Sequence, residues 1–509
     1  MSEPHILEPG RRGLVTIAVM LAVLMQVLDT TIANVALPHM QAALGATQET
    51  INWVLTSYIV ASAIAIPIAG WLADRIGRKQ LLIISAIGFT VASFLCAIAT
   101  SLPEMVTFRA LQGISGAFLV PLSQATLFDI NPPERHGTAM ALFGGGLMIG
   151  PIMGPVLGGW LTDSFDWRWV FLVNLPVGAL ATVMLWRYMP SIELYRRRFD
   201  LFGFGLIAVG LGALQMMLDR GQQLDWFESS EVWFELALTV GAFWMFIVHL
   251  ITAPEPLFPR AMFKDRNFVT GMIFMVVTGL LMLAGLALLP PLLQQLYGYS
   301  VLQSGELTAP RGIGTLISMA LVGRISKIVD MRIIVGLGMA LMGISLWMMT
   351  GFAIDQPARP VIVSGVVQGL GLGILIVTIQ SLSFATLAPM FRTSAASMLN
   401  LSRNIGGSVG ISVVTSLLTR NIQTAHADIA LHVTDQTLPV NFAPLIEQMG
   451  LPAQTGLAVI NAEITRQAAF IAYLDDFKLM MWVTLAAIPL VLILRPTKKG
   501  EPQEMVLAD

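Results

Sequence analysis

Two charged residues lie inside otherwise apolar stretches of the chain. Asp29 lies in LMQVLDTTIANVALP (Leu24 to Pro38), near the end of an apolar run that begins at Leu14, and Arg109 lies in RALQGISGAFLVP (Arg109 to Pro121), within another run. A charge at the depth of a hydrocarbon layer costs at least about 2.5 kcal/mol on the most lenient insertion scales, so it is retained for use and needs a partner. A carboxyl group in such a place can take up and release a proton. A neighbouring arginine favours its ionised form, whereas burial favours the neutral acid. The same two residues could instead form a permanent bridge that fixes one helix against another. Helix direction shows that they can meet. If the first helix runs outward and leaves the layer near Leu37, Asp29 lies about 12 Å below the outer boundary at about 1.5 Å per residue, and Arg109, on a fourth helix running inward from about Leu102, lies about 10 Å below it.

Other chemistry is sparse. Gln26, Asn34, Gln112, Gln380 and Asn400 are polar residues within apolar runs and are candidates to line a cavity, although each alone is more often an interhelical hydrogen bond. Met25, Phe143, Met148 and Phe384 are candidates for an adaptable apolar wall. Arg311 and Arg403 are further cations at membrane depth, either of which can snorkel to an interface. The six histidines show no metal-ligand spacing, and nucleophile elbows and phosphate loops are missing, so no enzyme, metal or cofactor is expected. The single cysteine, Cys96, excludes an intramolecular disulfide.

The elements that must position these residues are set by composition. The chain of 509 residues is 55% hydrophobic and 12% charged, with a mean hydropathy of +0.75. Apolar runs of about 18 to 25 residues recur along nearly all of it, each long enough to cross a hydrocarbon layer about 30 Å thick. The expected fold class is an all-α polytopic membrane protein with fourteen transmembrane helices, at about 14–37, 51–72, 80–100, 104–127, 138–161, 168–189, 201–218, 231–252, 268–291, 304–325, 333–353, 360–384, 397–418 and 477–494. The first run is too long for a cleaved signal peptide. Loops after even-numbered spans, with the N-terminal segment, hold about twenty Lys and Arg against about six on the other side, which places both termini in the cytoplasm.

The chain also repeats itself. At an offset of 253, Pro38 falls on Pro291, Gly45 on Gly298 and Gly70 on Gly323, and at an offset of 256, Gln112-Gly113 falls on Gln368-Gly369, Gln124 on Gln380 and Gly150 on Gly406. This implies a cytoplasmic N-terminus (1–13), a six-helix bundle (14–190), two inserted helices (191–267), a second six-helix bundle (268–494) with a long outer loop (419–476), and a cytoplasmic tail (495–509). The device is not symmetric: Asp29 falls on Met282, Arg109 on Gly365, Asp74 on Lys327 and Gly77 on Asp330. In the long loop, LAVINAEITRQAAFIAYL places Ile460, Ile464, Ala468, Ile471 and Leu474 on one helical side, giving either a helix that lies on the membrane or its own domain, or a docking surface.

Four segments carry a resemblance to the major facilitator superfamily, in its fourteen-helix drug:proton antiporter branch. They are GWLADRIGRK (Gly70 to Lys79), RALQGISGAFLVP, GGGLMIGPIMGPVLGG (Gly144 to Gly159) and LDTTIANVALP. Within that branch, LDRGQQLDWF (Leu218 to Phe227), NLSRNIGGSVG (Asn400 to Gly410) and the long outer loop most resemble multidrug exporters of the EmrB type. The resemblance implies a proton-coupled antiporter that exports hydrophobic or amphipathic compounds from the bacterial inner membrane, with the proton gradient as energy source. It also implies a periplasmic membrane-fusion adaptor and an outer-membrane channel as partners, and no nucleic acid. Asp29 and Arg109 would couple protons. Asp74, with Arg75, Gly77 and Arg78, would help hold the halves together at the cytoplasmic face, where Gly77 is a potential left-handed turn. Gly146, Gly150, Gly154 and Gly158, with Pro151 and Pro155 kinking the axis, would form a side-chain-free stripe sealing the cavity against proton leak. An exporter of a natural metabolite such as a fatty acid or siderophore is an alternative, and a membrane sensor or scaffold without turnover is another.

Overall fold

The computed structural model describes residues 8–47, 50–132, 135–191, 198–326, 328–433 and 453–495. Among these residues there is no strand. The long helices in chain order are α1 (Pro9–Ala43), α2 (Trp53–Ile76), α3 (Arg78–Ile98), α4 (Leu102–Ile130), α5 (His136–Ser164), α6 (Trp169–Tyr188), α7 (Leu201–Arg220), α8 (Ser230–Thr252), α9 (Arg266–Leu296), α10 (Val301–Ile325), α11 (Met331–Thr350), α12 (Ala358–Ala385), α13 (Arg392–His432) and α14 (Ala453–Ala487), with a short helix over Arg260–Lys264 between α8 and α9. Eleven described helices are long and apolar enough to cross a membrane. Their outward faces stay apolar, as on α8, where Trp233, Phe234, Val240, Trp244 and Ile251 are exposed. Surface of that kind is favourable in lipid and not in water.

Prolines punctuate the helices. A proline has no N–H to give the carbonyl four residues back, so the regular ladder breaks or tightens there. Pro67 lies in a 3-10 turn inside α2, Pro121 follows the break between Gly116 and Leu119 in α4, and Pro176 follows the break at Val173 in α6. Gly77 separates α2 from α3 with φ 91° and ψ 141°. That is a positive-φ conformation open to glycine but outside the left-handed helical region expected from the sequence.

The repeat returns as equivalent contacts. Gly45 and Gly298, one offset apart, both take positive φ, at 61° and 73°, just beyond the C-terminal ends of α1 and α9. A Cβ on Gly113 of α4 would strike the Tyr58 backbone of α2, and a Cβ on Gly369 of α12 would strike the Arg311 backbone of α10. Gly70 of α2 lies against Ser394 at the start of α13, and Gly323 of α10 lies against Gly137 and Thr138 at the start of α5. Phe128 and its repeat partner Phe384 touch each other, with ring centroids 4.4 Å apart. Repeat partners in contact must flank the pseudo-twofold axis, so these two rings mark where the halves meet.

The inserted helices α7 and α8 pack on one another, with Gly210 against Ala242 and Phe243. Asp200 holds the start of α7 to the end of α8 by accepting hydrogen bonds from the Gly203 and Leu257 amides and pairing with His249. At its other end α7 touches both halves: Thr56 of α2 donates to Asp219, and Ser412 of α13 donates to the Leu218 carbonyl at 2.9 Å.

The long outer segment differs from expectation. The helix over Ala458–Leu474 does not lie apart on the membrane, because it is the first part of one continuous α14, while α13 runs on to His432. The two extensions pair, with His426 and Asn461 3.0 Å apart. Ile464 and Ala468 are buried, but Ile471 is exposed. Residues 434–452 of the expected loop, and the expected terminal segments 1–7 and 496–509, lie outside the described residues.

Candidate functional site

Asp29 is fully buried in the interior of the first six helices, and three donors meet its carboxylate. Arg109 Nη1 lies 2.6 Å from Oδ2, and Gln112 Nε2 and Asn174 Nδ2 each lie 2.8 Å from Oδ1. Four helices therefore converge on one carboxylate: α1 supplies it, α4 gives the arginine and the glutamine one turn apart, α6 gives the asparagine, and α3 fixes that asparagine through Ser93. Asn174 also donates to Ser93 Oγ at 2.9 Å, and Ser93 donates to the Phe171 carbonyl at 2.9 Å. Asn174 can reach inward because it opens the second segment of α6, where Pro176 interrupts the helix.

Arg109 is as buried as its partner and is held on every side. Its Nε donates to the Val54 carbonyl at 3.1 Å and its Nη1 to Gln112 Oε1 at 2.6 Å. The Tyr58 ring lies 4.4 Å from the guanidinium carbon and the Phe171 ring 5.7 Å. Cation–π contacts of this kind contribute about 2 kcal/mol when desolvated. Among the described residues, the groups hydrogen-bonded to the Asp29 carboxylate are all donors, the arrangement that suits an ionised carboxylate. A buried pair is stable when the remaining lone pairs and protons find partners, and here Gln112, Asn174 and the Val54 carbonyl supply several of them.

The glycines of α5 face two ways. Gly146, Gly150, Gly154 and Gly158 lie against Met20, Val27, Thr31 and Ile32 of α1, the helix that carries Asp29. Thr31 donates to the Gly150 carbonyl at 3.2 Å across this seam. Gly137, Gly144 and Gly145 lie against Gly323, Met319 and Leu316 of α10 in the other half. α5 thus packs closely against α1 on one side and against α10 of the other half on the other. The Pro151 and Pro155 side chains lie outside the described residues.

Helix ends of the two halves are clasped. Asp129, at the C-terminal end of α4, pairs with Arg78 of α3 and, at 2.8 Å, with Arg392 at the start of α13. Asn400 of α13 donates to Gln124 of α4 at 2.9 Å. Among the described residues Asp129 and Arg392 form an ion pair that joins the halves, and Arg78, from the expected group, pairs with the same carboxylate within the first half. Arg75 lies 5.5 Å from the Trp71 ring on its own helix.

The expected cavity residues divide. Gln112 belongs to the Asp29 network, and Met25 is buried inside the first half beside Thr90 and Gly178, so neither faces the second half. Asn34 is exposed. Gln26 is half-buried and its Oε1 has no partner. Phe143, Met148, Gln380, Phe384 and Asn400 are buried, with Phe384 on Phe128, Asn400 on Gln124 and Gln380 Oε1 unpaired. Sequence reasoning missed Asn174, Tyr58, Ser93, Asp129 and Arg392. The depth rule reaches Asn174, which is five residues inside α6 from Trp169 and so about 8 Å below the same boundary.

A membrane-embedded helical repeat with an ion pair buried in one half defines a secondary transporter scaffold. The family model of the Major Facilitator Superfamily matches residues 19–411, and the chain belongs to that family, which consists of transporters rather than enzymes. It is 33% identical over 508 residues to the multidrug export protein EmrB of Escherichia coli K12, covering 97% of this chain and 98% of the relative. It is 35% identical over 486 residues to the fatty acid resistance protein FarB of Neisseria gonorrhoeae, covering 95% and 96%. Among solved structures it resembles the proton:xylose symporter XylE, with a TM-score of 0.59 at 14% identity over 95% of this chain and 97% of that one. It also resembles the human organic anion transporter MFSD10, with a TM-score of 0.58 at 15% identity over 94% and 100%. These two likenesses establish the fold.

Proposed function

We propose that the chain is a proton-coupled antiporter exporting hydrophobic or amphipathic toxic compounds across the bacterial inner membrane by alternating access. In this reading fourteen helices cross the membrane, both termini are cytoplasmic, bundles 14–190 and 268–494 flank the inserted pair, and the proton gradient is the only energy source. A periplasmic adaptor and an outer-membrane channel carry substrate onward.

One coincidence carries the reading. The inner ends are clasped by Asp129 and Arg392 while Asp29 is fully paired, so closure of the cytoplasmic side goes with an ionised, satisfied carboxylate. A proton arriving from outside neutralises Asp29 and removes its attraction for Arg109, which keeps Gln112, Val54 and two aromatic rings. Loosened from α4, α1 moves with α5 across the glycine seam, α5 shifts against α10, and the inner clasp opens. The proton leaves inward, substrate enters, and renewed pairing of Asp29 closes the inner side. Each ligand biases a two-state packing, as exchange requires.

The likeness to the fatty acid resistance protein keeps a metabolite exporter as a second reading. In proteoliposomes under an imposed pH gradient, a fluorescent amphipathic dye should be driven against its gradient and the drive should vanish with an uncoupler. Uphill flux that survives collapse of the proton gradient would refute proton coupling.

A further inference from the structure

The second half lacks the acid and arginine of the first, since Met282 stands at the place of Asp29 and Gly365 at that of Arg109. A cation nevertheless occupies the vacated ground. Arg311 of α10, the repeat partner of Tyr58, lies beside Gly365 and reaches to α9, where its Nη2 is 3.4 Å from the Met282 carbonyl. Arg311 is only 7% exposed, and among the described residues the hydrogen bond shown for its side chain goes to a carbonyl and not to a carboxylate. Next to it, Gln368 of α12, the repeat partner of Gln112, is 1% exposed with both its amide nitrogen and its amide oxygen unpaired. The two side chains converge over Gly285: a Cβ placed there would lie 3.4 Å from Arg311 Nη1 and 3.7 Å from Gln368 Nε2.

Arg109 has a carboxylate, two carbonyl-type acceptors and two ring faces. Arg311, of similar burial, has one long hydrogen bond for its five N–H groups. A desolvated guanidinium without a counter-ion is costly, and an unbonded amide beside it adds to the cost. A ligand that brings one anionic group relieves both at once, because a planar carboxylate accepts two parallel N–H bonds from a guanidinium and can take a third from an amide nitrogen.

We propose that Arg311 and Gln368, over the bare backbone of Gly285, form a head-group site for the carboxylate of an amphipathic substrate. The site is the second-half counterpart of the Asp29 site, with the substrate supplying the charge that the chain omits. The proposal rests on the export reading for its purpose, but binding tests it without transport.

The purified full-length protein in nanodiscs is titrated with tritiated decanoate, and separately with decyltrimethylammonium, which has a matched tail and a positive head. Arg311→Gln should weaken decanoate binding about ten-fold or more and alter decyltrimethylammonium binding less than about two-fold. Gln368→Leu should weaken decanoate several-fold, and Arg311→Lys, which keeps a point charge but not the planar fork, should fall between wild type and Arg311→Gln. Loss of both ligands in parallel, or of neither, in Arg311→Lys and Gln368→Leu would overturn the site. So would displacement of decanoate by exchange of gluconate for chloride with no dependence on tail length, which would make the occupant a small inorganic anion. Head-selective binding in a protein that shows no proton-driven flux would uphold the site and sink the export reading.

Discussion

Replacing Asp29 by asparagine keeps the side chain's size and removes its charge, and the network allows the cost to be worked out. Oδ1 accepts from Gln112 and Asn174, whereas Oδ2 accepts from Arg109. The asparagine oxygen can occupy the first position and keep both amide bonds, but its NH₂ then faces the Arg109 N–H groups, donor against donor. The lost charge-assisted bond is worth about 1.5–3 kcal/mol. Breaking a buried pair by removing one partner generally costs about 3–5 kcal/mol. Arg109 retains Gln112 Oε1, the Val54 carbonyl and the Tyr58 and Phe171 rings, so the loss should fall near the low end, about 3 kcal/mol, and the protein should still fold. Two fluxes in the same proteoliposomes separate a proton role from a fixed bridge. Uphill transport driven by a pH gradient should fall about ten-fold or more, while downhill substrate exchange without a gradient should persist. Uphill transport at the wild-type rate would refute the proton role of Asp29, and loss of both fluxes in a folded protein would leave a structural bridge.

Three further substitutions, one of them a control, test the moving parts. A Cβ on Gly150 would collide with the side chain and backbone of Val27, whereas one on Gly159 would meet nothing within 4 Å. Gly150→Ala should therefore cost about 1–3 kcal/mol in thermal stability and impair transport, and Gly159→Ala should behave as wild type in both assays. Asp129→Asn removes the charge shared by Arg78 and Arg392. It should shift the population toward the inward-open form by about ten-fold, read as faster maleimide labelling of Thr138→Cys in a Cys96→Ser background.

Several parts of this architecture are legible from one-dimensional pattern because they depend on local physics. Apolar length marks the helices, since a membrane has one thickness. The offset of 253 finds Gly45 and Gly298, which share positive φ, because a turn that needs glycine needs it in both copies. Depth, at a fixed rise per residue, brings Asp29 and Arg109 to one level from chain position alone. The outer segment is less legible: an amphipathic stretch reads the same whether it is a separate surface helix or the extension of a spanning one, and α14 is the latter.

Sequence by itself determined that Asp29 and Arg109 are out of place, that they share a level, and that the second half carries neither. It could not say which neighbours complete the site. Gln112, Asn174 and Ser93 join it from three helices, up to 145 residues from Asp29, and a polar residue in an apolar run looks the same whether it faces a cavity or a carboxylate. Nor does pattern reveal that Asp129 clasps Arg392, 263 residues away, or that Arg311 leans into the space left by Gly365. The physical reason is common to all of these. Periodicity and burial energy set which face of a helix turns inward, but the partner of an inward side chain is fixed only by how the helices pack and rotate against one another.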